Sequence, residues 1–175
     1  METVTLSVTR RANFQAKLRK FTILVDGTER AFVKNGETVK IDITPGEHDI
    51  VVKMGRLKSE PYFIDENNSD NVNLMTILVS GTFKAYIYLV STDHKPEPTI
   101  RHYGLGRFVL SLIFGGIMGI LIYKLCKSDL QLMEEGYMDS SGKTLTKIAS
   151  WWGLISFSLF IMIMIAIFAF LISQI

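Results

Sequence analysis

Two kinds of hydrophobic pattern divide this chain. Up to about residue 90, apolar and polar positions alternate in short runs. Val4, Leu6 and Val8 alternate with Thr and Ser, Phe21, Ile23 and Val25 share one face, and Ile50, Val52 and Met54 share another. Val39, Ile41 and Ile43 alternate with Lys40, Asp42 and Thr44. A period of two marks strands with one buried face. Between the runs, Asp26-Gly27, Asn35-Gly36, Pro45-Gly46 and Gly55 recur at intervals of nine or ten residues, a spacing that suits short strands joined by tight turns. Further strands are expected near 57–64, 71–79 and 83–90. Pro61, which has no N–H to donate, is expected at an edge or a bulge. Residues 1–90 therefore read as an antiparallel β-sandwich of about seven or eight strands.

The second pattern is continuous. From Ile148 to Ile175 no charge appears in 28 positions. The 22 residues Trp151 to Ile172 would make a helix of about 33 Å, against about 30 Å of hydrocarbon, so a transmembrane helix is expected over 148–173. An earlier apolar run, Phe108 to Tyr123, has only 16 residues, or about 24 Å as a helix. The first membrane segment, 105–124, therefore either spans with Arg107 and Lys124 snorkelling outward or enters and leaves on one side. Gly115, Gly116 and Gly119 permit a bend, while Ser111, Gly115 and Gly119, four apart, are candidates for close helix–helix packing. Arg107, Tyr123, Lys124, Lys147, Trp151 and Trp152 are the expected interfacial anchors. Residues 91–104, with Pro96 and Pro98, read as a linker, and 125–147 as a polar connection. The expected architecture is thus a β-sandwich followed by two membrane helices.

Charge bears on orientation. Residues 1–100 hold 13 Lys/Arg and 13 Asp/Glu, and residues 101–175 hold 6 and 4, so the net +2 lies in the membrane half. The opening METVTLSVTRR has no apolar core of a signal peptide, so the N-terminal domain is expected in the cytoplasm of an integral cell-membrane protein. A first segment that returns to its own side leaves Lys95, Arg101, Arg107, Lys124, Lys127, Lys143 and Lys147 on that side, as the positive-inside rule favours. The apolar content excludes a disordered chain, one Cys excludes a disulfide scaffold, and the modest net charge excludes a nucleic-acid domain.

Two family resemblances add to this reading. The run FTILVDGTERAFVKNGETVKIDITPGEHDIVVKM, with Val25-Asp26-Gly27, Asn35-Gly36-Glu37 and Pro45-Gly46-Glu47-His48, resembles the PEGA-like β domains over about residues 20–64. That resemblance implies a binding or spacer module without catalysis. Tyr123 to Asp129, followed by Gly142-Lys143-Thr144-Leu145-Thr146-Lys147 and the long apolar run, resembles the dispanin (interferon-induced transmembrane) family over about 105–172. It implies an intramembrane first helix, a cytoplasmic loop and a C-terminal span. Of the paired cysteines expected there, this chain has only Cys126.

Candidate chemistry is sparse. Ser140-Ser141-Gly142-Lys143-Thr144 resembles the end of a phosphate-binding loop, but Tyr137 stands where the first glycine is needed. His48, His94 and His102 are scattered without metal-ligand spacing; His48 reads as a strand histidine. Cys126, beside the first segment, is a candidate for acylation. Asn67-Asn68-Ser69 is a glycosylation sequon, without meaning in the cytoplasm. The basic group Arg10, Arg11, Lys17, Arg19 and Lys20 reads as a solvated strand face able to touch anionic lipid. No catalytic, cofactor or metal residue is expected, and the chain reads as no enzyme. The expected function is membrane-anchored binding or scaffolding. Its partners would be the lipid bilayer, further copies in a homo-oligomer or larger membrane complex, and an unknown protein partner of the β domain, with no nucleic acid. The alternatives are membrane remodelling by the hairpin, or an accessory subunit of a transporter or secretion complex.

Overall fold

A computed structural model describes residues 3–65, 71–81, 84–93 and 99–174. The chain forms two compact units, Met1–Pro96 and Glu97–Ile175. The expected sequon and the linker residues His94, Lys95, Pro96 and Pro98 lie outside the described residues.

The first unit contains nine strands among its described residues: β1 Val4–Arg10, β2 Phe21–Val25, β3 Thr28–Val33, β4 Thr38–Ile43, β5 His48–Met54, β6 Leu57–Lys58, β7 Tyr62–Ile64, β8 Val72–Ser80 and β9 Ala85–Ser91. They form a four-stranded sheet in the order β4-β1-β8-β9 and a five-stranded sheet in the order β3-β2-β5-β6, with β7 also on β5. The alternation read from the sequence becomes alternating burial. Val4, Leu6 and Val8 of the first sheet and Phe21, Ile23, Val25, Ile50 and Val52 of the second join one buried cluster. Asp26 (φ 52°) and Gly27 (φ 73°) form the two-residue turn between β2 and β3. Positive φ at both positions is what a tight hairpin needs, and Asp and Gly tolerate it. Pro61 falls in the gap between β6 and β7, where no ladder bond is lost. Ser59 fills that gap, its N–H donating to the Val52 carbonyl at 2.8 Å and its Oγ accepting from Val52 N–H at 3.0 Å.

The expectation of a wholly antiparallel unit fails at one pair. β1 and β8 run parallel, in register from Leu6↔Val72 to Arg10↔Thr76. The chain builds β2 to β7 before returning as β8, and such a crossover delivers a strand in either direction. Alternation reports which face is buried and carries no direction. The count of seven or eight strands also rises to nine, because the edge beyond β5 is made of two short pieces.

In the second unit, Ile100 forms an isolated parallel bridge with Met138. α1 runs over Gly104–Glu134, a 3-10 turn over Ser140–Gly142, and α2 over Lys143–Ile172. Both helices are long and apolar enough to cross a membrane by length and composition. α1 continues ten residues past the expected end of the first segment, so the polar connection of 125–147 shrinks to 135–142. Packing explains the extension: Gly115, Gly119, Ile122, Cys126, Asp129 and Met133 are all buried. Their spacings of four and three residues keep one helix face inward to the end.

Candidate functional site

The helical unit is organised by a reversal inside α1. In a straight helix Arg107 and Asp129, 22 positions apart, would be separated by about 33 Å. Instead the Arg107 guanidinium grips the Asp129 carboxylate, Nε donating to Oδ2 at 2.7 Å and Nη2 to Oδ1 at 3.0 Å. α1 is therefore folded back on itself. The break is at Phe114, whose φ of −117° and ψ of 21° leave the helical region. Residues 104–113 form one limb and 115–134 the other. Phe108 and Leu110 of the first limb pack on Ile122 and Cys126 of the second and on Ala149 of α2. The chain closes the base with backbone bonds: Ile100 N–H donates to the Tyr137 carbonyl at 3.2 Å, and Asp139 N–H to the Ile100 carbonyl at 2.9 Å.

The second limb runs antiparallel along α2. Lys143 and Glu134 pair at 3.6 Å near the connection. Farther along, Ser156 Oγ donates to the Gly115 carbonyl at 2.9 Å. A Cβ on Gly119 would sit 2.2 Å from the Gly153 carbonyl oxygen, and one on Gly153 would sit 2.8 Å from that of Gly119. The two backbones touch where neither helix has a side chain. This contact ends near Phe160, and residues 161–172 of α2 are exposed throughout.

Of the expected packing candidates, Gly115 and Gly119 are buried and do pack a helix, but within the chain. Ser111 is buried on the other limb, its Oγ donating to the Phe108 carbonyl at 2.6 Å. The reversal at Phe114 separates it from the glycine face, so no continuous stripe remains for a second copy. Arg107 is no snorkelling anchor: its side chain is 3% exposed and ion-paired. The other anchors are available, with Trp151 68% and Trp152 46% exposed, Lys124 and Lys147 exposed and Tyr123 half-buried. Cys126 is a free thiol with no exposed surface, which removes it as an acylation site. Sequence reasoning missed Asp129, Phe114, Gly153 and Ser156. The signal for Asp129 was its place in the buried four-and-three spacing.

The phosphate-loop remnant is otherwise employed. Asp139 caps the 3-10 turn, accepting from Ser141 N–H at 2.9 Å and Ser141 Oγ at 2.8 Å. These bonds hold the Asp139 carboxyl below its usual range, and its charge stands where a phosphate would need donors. His102 lies over Gly142 with Nε2 3.8 Å from Asp139 Oδ2.

In the β unit, His48 offers the best-defined polar contact. Nδ1 meets Asp26 Oδ2 at 2.7 Å and Nε2 meets the Thr44 carbonyl at 2.8 Å. Both partners are acceptors, so the ring donates from both nitrogens only as the imidazolium. The Asp26 bond raises the His48 pKa, against the effect of burial. The Asp49 N–H and then His48 hold the Asp26 carboxyl low. A shallow cleft of about 510 Å³ opens here, lined by Asp26, Glu47, His48, Asp49, Phe63, Ile64 and Asp65. Among the described residues, no three His, Cys, Asp or Glu side chains are grouped to hold a metal. No protein family, curated protein or solved structure matches this chain.

Proposed function

We propose that the protein is a membrane-anchored scaffold that presents its β unit at one face of the bilayer, and that its anchor is a re-entrant helical hairpin locked to a single span. The observation that carries this reading is the Arg107–Asp129 pair, which ties the two limbs of α1 together at their base. The apolar run 108–123 straddles the fold at Phe114, so the exposed Leu112, Ile113, Phe114 and Ile117 form a greasy tip. The first limb is about 15 Å long, half of a hydrocarbon core of about 30 Å. It fits one leaflet. The 25 residues 148–172 of α2 fit a full crossing, at about 37 Å. Arg101, Lys124, Lys127, Lys143 and Lys147 collect at the base of the hairpin, and none lies beyond Lys147. By the positive-inside rule that base, and the β unit attached to it, belong on the cytoplasmic side of the cell membrane. The β unit is read as a sandwich, since one buried cluster draws on both sheets. The reading assigns it a protein partner and no catalysis.

Single cysteines at Thr28, Ser140 and Ser173, in a Cys126→Ala background, test the anchor by labelling intact cells with an impermeant maleimide. Labelling at 173 alone is expected. Labelling at 140 without 173 would establish a plain two-span hairpin, and labelling at 28 would reverse the orientation.

A second reading follows from the same fold. Three helix segments would lie in the near leaflet and one in the far leaflet, an unequal filling suited to bending the bilayer. Reconstitution into large vesicles distinguishes it: tubules or smaller vesicles at high protein density favour remodelling, and unchanged vesicles leave the scaffold reading alone.

A further inference from the structure

The basic segment after β1 is not the solvated strand face that its sequence implies. Arg10, the last residue of β1, is 1% exposed. Its guanidinium lies 3.8 Å from the centre of the Phe21 ring and donates to the carbonyls of Arg19 and Ala16. One buried cation thus gathers residues 11–20 into a compact loop. Asn13 reinforces it, its Nδ2 donating to the Leu78 carbonyl at 2.9 Å, and Ser80 Oγ donates to Gln15 Oε1 at 2.8 Å. What the loop presents is unusual. Leu18 is 97% exposed and Phe14 40%. Lys17, Arg19 and Lys20 are exposed beside them, and no Asp or Glu occurs anywhere between Glu2 and Asp26.

We infer that the loop 11–20 is a docking tip for an anionic lipid bilayer, inserting Leu18 and Phe14 below the headgroups while Lys17, Arg19 and Lys20 meet the phosphates. Apolar side chains held out in water gain by entering hydrocarbon, and basic neighbours gain by meeting a negative surface. A nucleic acid or an acidic peptide would use the charges but give Leu18 no apolar partner. The loop is prearranged by Arg10, so little ordering is left to bind. This docking rests on the membrane anchor proposed above.

The full chain, reconstituted in nanodiscs of neutral phosphatidylcholine, tests it by co-flotation with vesicles of phosphatidylcholine containing phosphatidylserine. Failure to reconstitute would count against the anchor, separately from the tip. Given reconstitution, capture by anionic vesicles is expected, with at least a several-fold drop for neutral vesicles and at high salt. Leu18→Ser with Phe14→Ser should reduce capture by a similar factor; both positions are exposed, so an unchanged melting temperature checks the fold. Lys17→Glu with Lys20→Glu should abolish it. Capture that ignores the Leu18 and Phe14 changes would overturn the proposal. So would binding to tRNA in place of vesicles, or a loop cut equally by trypsin on neutral and anionic nanodiscs in the absence of vesicle capture.

Discussion

Arg107 and Asp129 meet through two hydrogen bonds across a helix that must reverse for them to do so. Both side chains are 3% exposed, so each would be a buried, uncompensated charge without the other. Breaking such a pair costs about 3–5 kcal/mol, while replacing both partners by apolar residues costs far less. Arg107→Met and Asp129→Leu are each expected to be strongly destabilising, and the double variant to recover most of the loss. Unfolding of the reconstituted protein in rising sodium dodecyl sulfate measures all three. Losses that simply add would mean that the pair does not hold the limbs.

The Gly119–Gly153 contact leaves no room for a methyl group on either side. Gly119→Val is expected to force the second limb away from α2 and to cost about 1–3 kcal/mol, the usual penalty for overpacking. Gly116→Ala, whose new Cβ would come nearest to the Phe160 ring, at 3.3 Å, should cost much less. Because the glycines are used inside one chain, crosslinking between copies should not respond to either change. A lost oligomer in Gly119→Val, with unchanged stability, would contradict the internal packing.

The burial of Cys126 gives a direct assay of the folded hairpin. Maleimide added to the folded protein is expected to leave the thiol unmodified, and to label it fully once detergent has unfolded the chain. Arg107→Met should raise the labelling rate if the limbs separate, since Phe108, beside Arg107, helps to cover Cys126. Rapid labelling of the native protein would show that the two limbs are not closed.

The Asp26–His48 pair predicts how the β unit responds to pH. The His48 pKa is raised by folding, so its stabilisation is complete below the unfolded value, near 6.5, and is lost as pH rises through the higher folded value. The Asp26 pKa is lowered, so its contribution is present above the unfolded value, near 3.8, and is lost as pH falls through the lower folded value. The pair therefore contributes most between about pH 4 and 6.5. Thermal melts of the full chain across pH 4–9 should show the β transition weakening on the alkaline side. His48→Gln should flatten that slope; an unchanged slope would assign it elsewhere.

Local pattern made some of this legible and long-range geometry hid the rest. The strands of Leu6, Ile23 and Val52 could be read because one face of each is buried, and a period of two survives in the sequence. The turn at Asp26-Gly27 could be read because its backbone restricts which residues fit. The shortness of the 108–123 run leaves a one-sided entry open, and Gly115 and Gly116 mark the neighbourhood of the bend but not the residue whose angles change. Phe114 has no residue-level mark of a breaker, and its departure from helical angles is imposed by what the two limbs bury. Arg10 and Arg107 misled for one reason: an arginine in sequence looks solvated until its partners, at Ala16 and Arg19 or at Asp129, are brought to it by the fold. The parallel β1–β8 pair leaves no trace in composition.

The reversal at Phe114 has a consequence for biosynthesis. Arg107 emerges from the ribosome 22 residues before Asp129, or about 1–4 s earlier at typical elongation rates. During that interval its guanidinium has no counter-ion, and a lone arginine is costly at bilayer depth. In the membrane anchor proposed above, the first limb would therefore wait at the headgroup surface until the second has been made. On that reading α1 would enter with its buried charges already paired, and α2, which packs against the glycine face of α1, would come last. A chain released before residue 129 would carry the Arg107 charge without its partner, and such truncated products are the ones expected to fail to insert.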